Sequence, residues 1–239
     1  MKIALITGAN KGIGFETAKQ LAALGYYVYI GSRNKIKGLD AIEKLRALDI
    51  NNVDWIEIDV TNLTSIQSAR QELETKTQRL DVLINNAGIA GEQPQNISTC
   101  EIKNLKRVFE TNFFGAVQVT QQFINLLKKS NEPRLVNVSS NLGSLTMQSI
   151  TQTSNQAIFN AYSCSKTALN AFTALLAKEF KNTNFKINSV APGYTATDLN
   201  YFKGTQTVEQ AAKAIIKYVT LENNGPTGKY FKDDGEIPW

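Results

Sequence analysis

Residues 3–14 read IALITGANKGIG, and this stretch decides the fold. Its first four residues form a continuous apolar run, which is typical of a strand buried on both faces of a parallel sheet. Gly8, Gly12 and Gly14 then precede a helical pattern, so the backbone can approach a phosphate closely beside a helix N-terminus. The spacing lacks the second half of a P-loop, which disfavours nucleoside triphosphate hydrolysis. We predict a strand, a phosphate-binding turn and a helix; a tight glycine turn without a ligand is the alternative.

Outward from this stretch, short apolar runs alternate with longer segments of helical periodicity. Such alternation implies right-handed crossovers that place helices on both faces of a parallel sheet. We predict an α/β fold of the Rossmann type, a single domain (residues 1–239) built on a doubly wound, parallel, seven-stranded sheet. The predicted strands are residues 2–7, 27–31, 53–58, 80–85, 134–139, 186–191 and 228–231. The predicted helices lie near residues 12–24, 35–48, 62–78, 101–129, 160–181 and 207–220.

Composition excludes several classes of protein. The chain has 239 residues, of which 42% are hydrophobic and 20% charged, as in soluble globular domains. The net charge is +5, but no dense Lys/Arg block is present, so we expect no nucleic-acid partner. The sequence has no histidine, which removes mechanisms built on a histidine base and also the commonest metal ligand. We therefore expect no metal site.

Cysteine use and the start of the chain indicate the compartment. Cys100 and Cys164 are isolated, so neither a disulfide framework nor a CxxC site is predicted. The apolar run at residues 3–6 is too short for a signal sequence or a membrane span. We expect a cytoplasmic protein without a membrane partner.

The end of the second predicted strand bears on the choice of cofactor. Parallel sheets bind ligands beyond the carboxyl ends of their strands, and an NAD site usually places a carboxylate there. Ser32 takes that position, Arg33 follows it, and Lys11 lies in the glycine turn. Two cations and no carboxylate suit a 2′-phosphate, because a guanidinium can bind it through two hydrogen bonds. The pattern favours NADP(H) over NAD(H), although a solvated surface arginine would also explain Arg33.

The ends of the third and fourth predicted strands are less specific. Asp59 and Val60 are placed to meet an adenine, but Thr61 and Asn62 follow, so Asp59 equally suits a turn that begins a helix. Residues 85–88, NNAG, form a compact polar turn that permits close approach of a ligand. An ordinary turn would have the same composition.

Tyr162 and Lys166 are four residues apart in a helical stretch and therefore share one helix face. None of the other tyrosines is followed by a lysine at this spacing. A neighbouring ammonium would lower the pKa of the phenol and make it a usable acid or base near neutrality. A surface pair without a role would look the same, so this pair gains weight only from the other motifs.

These motifs, in this order, resemble those of the short-chain dehydrogenase/reductase family over essentially the whole chain. Residues 10–14, 112–115 and 136–140 are most similar to the carbonyl reductase branch, and Trp239 adds to that likeness. The residues that carry the family resemblance are Thr7-Gly8-x-x-x-Gly12-x-Gly14, Asn85-Asn86-Ala87-Gly88, Asn112, Ser140, Tyr162-x-x-x-Lys166 and Pro192-Gly193.

The resemblance implies catalytic roles for four residues. Tyr162 would donate a proton to the substrate carbonyl oxygen as hydride arrives from the nicotinamide. Lys166 would lower the pKa of Tyr162 and bind the nicotinamide ribose. Ser140 would orient and polarise the carbonyl, and Asn112 would hold a water that links Lys166 to solvent. Strand alternation allows only one of Ser139 and Ser140 to face the site, and the resemblance, not the residue pattern, selects Ser140.

The resemblance also implies a cofactor site. Asp59 would touch the adenine, residues 86–88 the adenine ribose region, and Pro192 and Gly193, with Thr195 and Thr197, the carboxamide side of the nicotinamide. The full set of predicted NADP(H)-binding residues is Gly8, Asn10, Lys11, Gly12, Ile13, Gly14, Ser32, Arg33, Asp59, Val60, Asn86, Ala87, Gly88, Tyr162, Lys166, Pro192, Gly193, Thr195 and Thr197.

Two segments depart from the family pattern. Tyr162 follows Ser140 by 22 positions, a longer interval than in typical short-chain reductases, and the extra residues, 147–159, would border the substrate mouth. They would also lie near a helix that many relatives use for dimer contacts, so monomer and homo-oligomer both stay open. Residues 194–202 carry aromatic side chains that would line an apolar pocket or pack in the core.

The predicted function is NADPH-dependent reduction of a ketone or aldehyde, with an apolar or aryl ketone as the small-molecule partner. A 3-ketoacyl-carrier-protein reductase would share the catalytic residues but usually has a shorter interval from serine to tyrosine. A non-catalytic sensor of NADP(H) is the alternative from another class. Such a sensor would be free to lose Tyr162, whereas this chain retains it.

Overall fold

Eight strands and eight helices occupy residues 1–150 and 159–239, the parts of the chain that the computed structural model describes. The strands are β1 (Ile3–Thr7), β2 (Tyr27–Ser32), β3 (Val53–Glu57), β4 (Val82–Asn85), β5 (Arg134–Val138), β6 (Lys186–Val190), β7 (Lys229–Lys232) and β8 (Gly235–Glu236). The helices are α1 (Gly12–Ala23), α2 (Lys35–Arg46), α3 (Leu63–Lys76), α4 (Ile102–Phe109), α5 (Gly115–Leu127), α6 (Leu145–Ile150), α7 (Asn160–Glu179) and α8 (Val208–Val219).

The strands form one sheet in the order β3-β2-β1-β4-β5-β6-β7-β8. The first seven strands in chain order are parallel, which confirms the doubly wound α/β fold. The predicted count of seven is one strand short, because β8 pairs antiparallel with β7. β8 has only two residues, too few to show a periodic pattern in the sequence. The strand order reverses between β1 and β4, where sheets of this kind bind ligands.

The sheet is covered by helices on both faces. Ala4 and Ile6 of β1 pack on one side with residues of α1, α2 and α8, while Leu5 packs on the other with residues of α3, α5 and α7. This two-sided burial explains why the strands read as continuous apolar runs. No helix within the described residues combines the length and apolarity that a bilayer span requires.

The helix predicted over residues 101–129 is interrupted. α4 and α5 are joined by a turn of π-helix at Glu110–Phe114, which carries Asn112. π-Turns inside helices are frequent at functional sites because the extra residue redirects a side chain. Of the segment 147–159, α6 takes up the first part, and residues 151–158 lie outside the described residues.

A row of buried polar side chains crosses the sheet at its carboxyl edge. Asn85 donates to Thr120 Oγ1 (2.9 Å) and to Asn137 Oδ1 (2.8 Å). Asn137 donates to Thr173 Oγ1 (2.8 Å), and the Thr173 hydroxyl also bonds that of Ser189 (2.8 Å). The row links three neighbouring strands, β4, β5 and β6, to α5 and α7. It therefore fixes both helices relative to the carboxyl edge.

Thr173→Val tests how much this row of buried polar side chains contributes to stability. The change preserves shape but leaves the buried amide of Asn137 without its acceptor, so we expect a loss of about 1–3 kcal/mol in the free energy of unfolding. Thr220→Val is the matched control, because Thr220 makes the same bond to the carbonyl four residues back but is exposed. Urea unfolding should show a loss below about 0.5 kcal/mol for the control. Equal losses in the two variants would contradict the role given to the row.

Candidate active site

Three of the predicted catalytic side chains meet where β5 ends and α7 begins. Lys166 Nζ donates to the carbonyl of Val138, the last residue of β5, at 2.7 Å. The same nitrogen lies 5.5 Å from the centre of the Tyr162 ring. The Ser140 side chain lies close enough to the Tyr162 phenol to lower its pKa, against the larger effect of burial. The spacing of Tyr162 and Lys166 on one helix face thus brings both residues to the strand end that carries Ser140.

The two neighbouring serines have different surroundings. Ser139 is 3% exposed, its backbone N–H continues the sheet by donating to Val190, and its hydroxyl has no partner within the described residues. Ser140 is half-buried, its hydroxyl oxygen accepts from the backbone of Leu142 (3.3 Å), and its side chain acts on the pKa of Tyr162. The structure therefore brings Ser140, not Ser139, to the phenol.

Asn112 lies beside this group and is held on both sides of its amide. Its Oδ1 accepts from the N–H of Ile89 (2.8 Å), and its Nδ2 donates to the Ile89 carbonyl (2.9 Å) and to Ser165 Oγ (3.0 Å). Gly88 lies against both Asn112 and Lys166, since a Cβ on it would be 3.3 Å from Asn112 Oδ1 and 3.7 Å from Lys166 Nζ. All four predicted catalytic residues therefore lie in one cluster.

Two residues that the sequence patterns did not single out hold the main chain of Tyr162. Gln95 is fully buried, and its Oε1 accepts from the Tyr162 N–H at 3.2 Å. Ser165 Oγ donates to the Tyr162 carbonyl at 2.7 Å. Ser165 could have been found from its position beside Lys166 in the helix, whereas Gln95 lies in a loop without any local signal.

Burial controls the acidity of the central pair. It raises the pKa of Tyr162 to about 12, against a smaller lowering by the Ser140 side chain. It lowers the pKa of Lys166 to about 8. The net shift of the phenol pKa is upward because desolvation is its largest cause, and the lowering by Lys166 that the family resemblance implies stays a prediction. Tyr162 is consequently a protonated phenol at neutral pH.

The glycine turn is fitted against the end of β4. Gly8 and Gly12 have φ of +65° and +59°, a backbone conformation that favours glycine. A Cβ on Gly8 would lie 2.8 Å from the Cα of Ala87. The Asn86 side chain donates to the carbonyls of Thr7 (2.9 Å) and Gly8 (3.1 Å), so it shapes the turn from the neighbouring strand.

The start of α1 suits a phosphate. Lys11 is the N-cap residue and its side chain does not cap the helix, while Asn10 and Ile13 beside it are only half-buried. Gly14 must remain glycine, because a Cβ there would be 2.7 Å from the backbone carbonyl oxygen of Gly8. An anion at this point would interact with first-turn N–H groups and with the helix dipole. The residues present therefore fit a pyrophosphate.

Lys11 at the start of α1 and Arg33 directly after β2 are the two predicted phosphate-binding cations. The Arg33 side chain is exposed and makes no hydrogen bond or ion pair with any residue in the described parts of the chain. Ser32 is buried instead, with its hydroxyl accepting from Trp55 Nε1 at 2.9 Å. Lys11 forms an ion pair with Asp198 at 2.8 Å, in which both side chains are more than half exposed. Arg33 and Lys11 are thus accessible to an added anionic group, whereas Ser32 serves the packing of Trp55.

Asp59 takes part in a local turn. Its Oδ1 accepts from the N–H (3.0 Å) and the hydroxyl (2.8 Å) of Thr61, just before α3. Val60 beside it is 7% exposed and packs on Gly115 of α5, where a Cβ would be 2.9 Å from Val60 Cγ2. Asp59 thus forms the predicted helix-start turn, and its contact with an adenine stays a prediction.

The segment after β6 lies over the glycine turn. Pro192 is buried, and Gly193 has φ of +88°, with the Gln206 side chain occupying the space of a Cβ. Thr195 is 4% exposed and donates to the Gly193 carbonyl at 3.2 Å. Thr197 Cγ2 would be 3.6 Å from a Cβ on Gly12. This segment therefore contacts the glycine turn, and Gln206, which no sequence motif indicated, packs against Gly193.

Comparison with known proteins gives a consistent result. A family model described as short chain dehydrogenase matches residues 2–207. A (+)-neomenthol dehydrogenase from Capsicum annuum is 33% identical, with 96% of this chain and 95% of the relative covered. Salutaridine reductase from Papaver somniferum has a solved structure that matches with a TM-score of 0.85 and 29% identity over 98% of this chain and 100% of that chain. An NADPH-bound carbonyl reductase from chicken fatty liver matches with a TM-score of 0.84 and 27% identity over the whole of both chains.

The buried ammonium of Lys166 should make stability depend on pH. Its pKa is about 8 in the folded chain, against 10.5 ordinarily, so the unfolded chain binds more protons between these values and stability rises with pH there. Between pH 7 and 10 the wild-type protein should gain about 2–3 kcal/mol relative to Lys166→Met. Urea unfolding at several pH values measures this difference. Lys178→Met, at an exposed position of the same helix, should show no such trend; a flat difference for Lys166→Met would contradict the assignment.

Proposed function

The chain belongs to the short-chain dehydrogenase/reductase family of oxidoreductases, and we propose that it reduces the carbonyl of a ketone or aldehyde to an alcohol with NADPH. The observation that carries the proposal is the convergence of Ser140, Tyr162 and Lys166 at the end of β5. A protonated phenol, a hydroxyl and an ammonium together provide what carbonyl reduction needs from a protein: a proton, an orienting bond and a positive charge.

In this proposal the Tyr162 phenol donates its proton to the substrate carbonyl oxygen. Its pKa of about 12 keeps it protonated at neutral pH, so the group is present in the form that reduction requires. Ser140 lies beside the phenol and donates a second hydrogen bond to the same oxygen, which orients the carbonyl. NADPH, when bound, supplies the hydride that reduces the carbonyl carbon.

Lys166 acts through its charge. With a pKa of about 8 it is mostly protonated at neutral pH, and one of its hydrogens is used on the Val138 carbonyl. Its remaining hydrogens serve the cofactor ribose, and its charge stabilises negative charge that develops on Tyr162 as the proton leaves. The Asn112 amide binds both the N–H and the carbonyl of Ile89, and so fixes the backbone of Ile89 beside the proposed site.

The chain is proposed to hold NADP(H) as one domain, residues 1–239. The glycine turn binds the pyrophosphate at the N-terminus of α1, and Arg33 and Lys11 bind the 2′-phosphate. The exposed guanidinium of Arg33 and the lack of a carboxylate at Ser32 support the phosphorylated cofactor. Binding of NADPH by the chicken carbonyl reductase, which matches over its whole length, supports the same choice.

The substrate is proposed to be an apolar ketone. The segment after β6 exposes large apolar side chains, with Tyr194 53%, Leu199 40% and Phe202 64% exposed. Exposed apolar groups beside a cleft are typical of binding sites for apolar ligands. The relatives named as a neomenthol dehydrogenase and a salutaridine reductase support a small organic substrate.

Tyr162→Phe tests the proton donor. We expect NADPH-dependent reduction of a panel of alkyl and aryl ketones to fall by about 10²–10⁴-fold in kcat, because the phenyl ring has no proton to donate. The loss should appear in kcat rather than in the KM for NADPH. Tyr27→Phe, at the opposite end of the sheet, should leave kcat within about twofold of the wild type. Undiminished turnover by Tyr162→Phe would reject this residue as the acid.

Arg33→Asp tests the choice of cofactor. We expect kcat/KM for NADPH to fall by about 10–100-fold, because a charge-assisted bond to the 2′-phosphate is replaced by repulsion. The kcat/KM for NADH should fall less than that for NADPH, or rise, since a carboxylate can bind the free 2′-hydroxyl of NADH. Arg46→Asp, at the far end of α2, is the control for the change in net charge. A ratio of the two kcat/KM values that is unchanged from wild type would exclude Arg33 from the site.

A further inference from the structure

Tyr230 of β7 is a buried ionisable residue that the proposed mechanism does not use. Its side chain is fully buried, and its hydroxyl donates to the backbone carbonyl of Ser140. The same carbonyl accepts from the N–H of Gly143 at 2.7 Å, within the short helical turn that follows. The main chain of Ser140 is therefore fixed from two directions, once locally and once by a residue 90 positions away.

Trp239 holds Tyr230 from the other side. The two rings are stacked, with centroids 5.5 Å apart and planes at 18°. The Trp239 carbonyl accepts from the N–H of Thr146 (2.9 Å), and the Pro238 carbonyl accepts from Ser144 Oγ (2.7 Å). Residues 238–239 thus bind both Tyr230 and the segment that directly follows Ser140.

We propose that Tyr230, clamped by Trp239, is a positioning residue that sets the orientation of the Ser140 hydroxyl toward Tyr162. This inference rests on the proposed function of Ser140. Beyond Ser139, which makes the last bond of β5 to β6, the sheet no longer fixes the chain. Ser140 continues in extended conformation, with φ of −160° and ψ of 146°, so rotation of its peptide would turn the hydroxyl away from the phenol. The Tyr230 hydroxyl restricts that rotation because it binds the carbonyl of the same peptide.

Tyr230→Phe tests this role, and the chain offers a close control. Tyr218 is also buried, stacks on Phe231 with centroids 4.2 Å apart, and donates to a backbone carbonyl, that of Lys232, at 3.0 Å. Both Tyr→Phe changes keep the ring and remove one phenol–carbonyl bond. We expect kcat for ketone reduction to fall about tenfold in Tyr230→Phe only, with KM for NADPH unchanged in both variants. Equal kcat values in Tyr230→Phe and the wild type would overturn the proposal.

A double-mutant cycle with Ser140→Ala separates positioning from general damage. If Tyr230 acts through Ser140, adding Tyr230→Phe to Ser140→Ala should change kcat by less than about twofold. A full additional loss in the double mutant would overturn the proposal, because it would show that Tyr230 affects turnover by another route. Trp239→Phe should retain most of the wild-type kcat by keeping a stacked ring, whereas Trp239→Ala should lose activity in the same way as Tyr230→Phe.

Amide hydrogen exchange provides a readout that needs no turnover. Residues 141–147 should exchange faster in Tyr230→Phe than in the wild type, while Tyr218→Phe should leave their rates unchanged. A wild-type protein that reduces no ketone would reject the proposed function, and exchange alone would then decide whether Tyr230 restrains this segment. Unchanged exchange in Tyr230→Phe would overturn the restraint itself.

Discussion

The active-site edge depends on hydrogen bonds between polar side chains that are buried under it. Asn85, Asn137 and Ser189 are neighbours across three parallel strands, and Thr120 and Thr173 join them from α5 and α7. A buried amide or hydroxyl without a partner is costly, so each of these groups restricts where its neighbour can be. An apolar layer would tolerate sliding of a helix along the sheet, whereas this row does not. The row therefore fixes the position of α7, which carries Tyr162 and Lys166, along the sheet.

The fixed position of α7 explains the pKa shifts of Lys166 and Tyr162, the proposed catalytic pair. Lys166 is 4% exposed, and within residues 1–150 and 159–239 no carboxylate contributes to its pKa and its ammonium hydrogen-bonds only the carbonyl of Val138. Burial without a counter-ion destabilises the charged form and lowers its pKa, while the same burial raises that of Tyr162. The two shifts have opposite directions and one cause. They leave the phenol protonated and the ammonium easy to deprotonate. This suits the proposed reaction, in which Tyr162 gives a proton to the substrate and must then be reprotonated.

Local patterns predicted what depends on local sequence. The apolar runs indicated the strands because both faces are buried, and the four-residue spacing placed Tyr162 above Lys166. Contacts over long separations left no such signal: Gln95 reaches Tyr162 across 67 positions and Tyr230 reaches Ser140 across 90. The short β8 and the π-turn at Asn112 depend on packing rather than on periodicity. Asp59 was ambiguous because a turn-forming carboxylate and a ligand-binding one look alike in sequence.

The residues that fix the catalytic groups bind mainly to main-chain atoms. Gln95 and Ser165 hold the N–H and carbonyl of Tyr162, and Tyr230 holds the carbonyl of Ser140. Restraint through the main chain does not use the hydrogen of the Tyr162 phenol, whereas restraint through the phenol itself would compete with substrate binding. Preorganised donors require no rearrangement when charge develops in the transition state. The structure thus combines a fixed main chain with a Tyr162 hydroxyl that donates to no carbonyl among the described residues, and this distinguishes the proposed proton donor from a buried tyrosine such as Tyr218, whose hydroxyl is bound to a carbonyl.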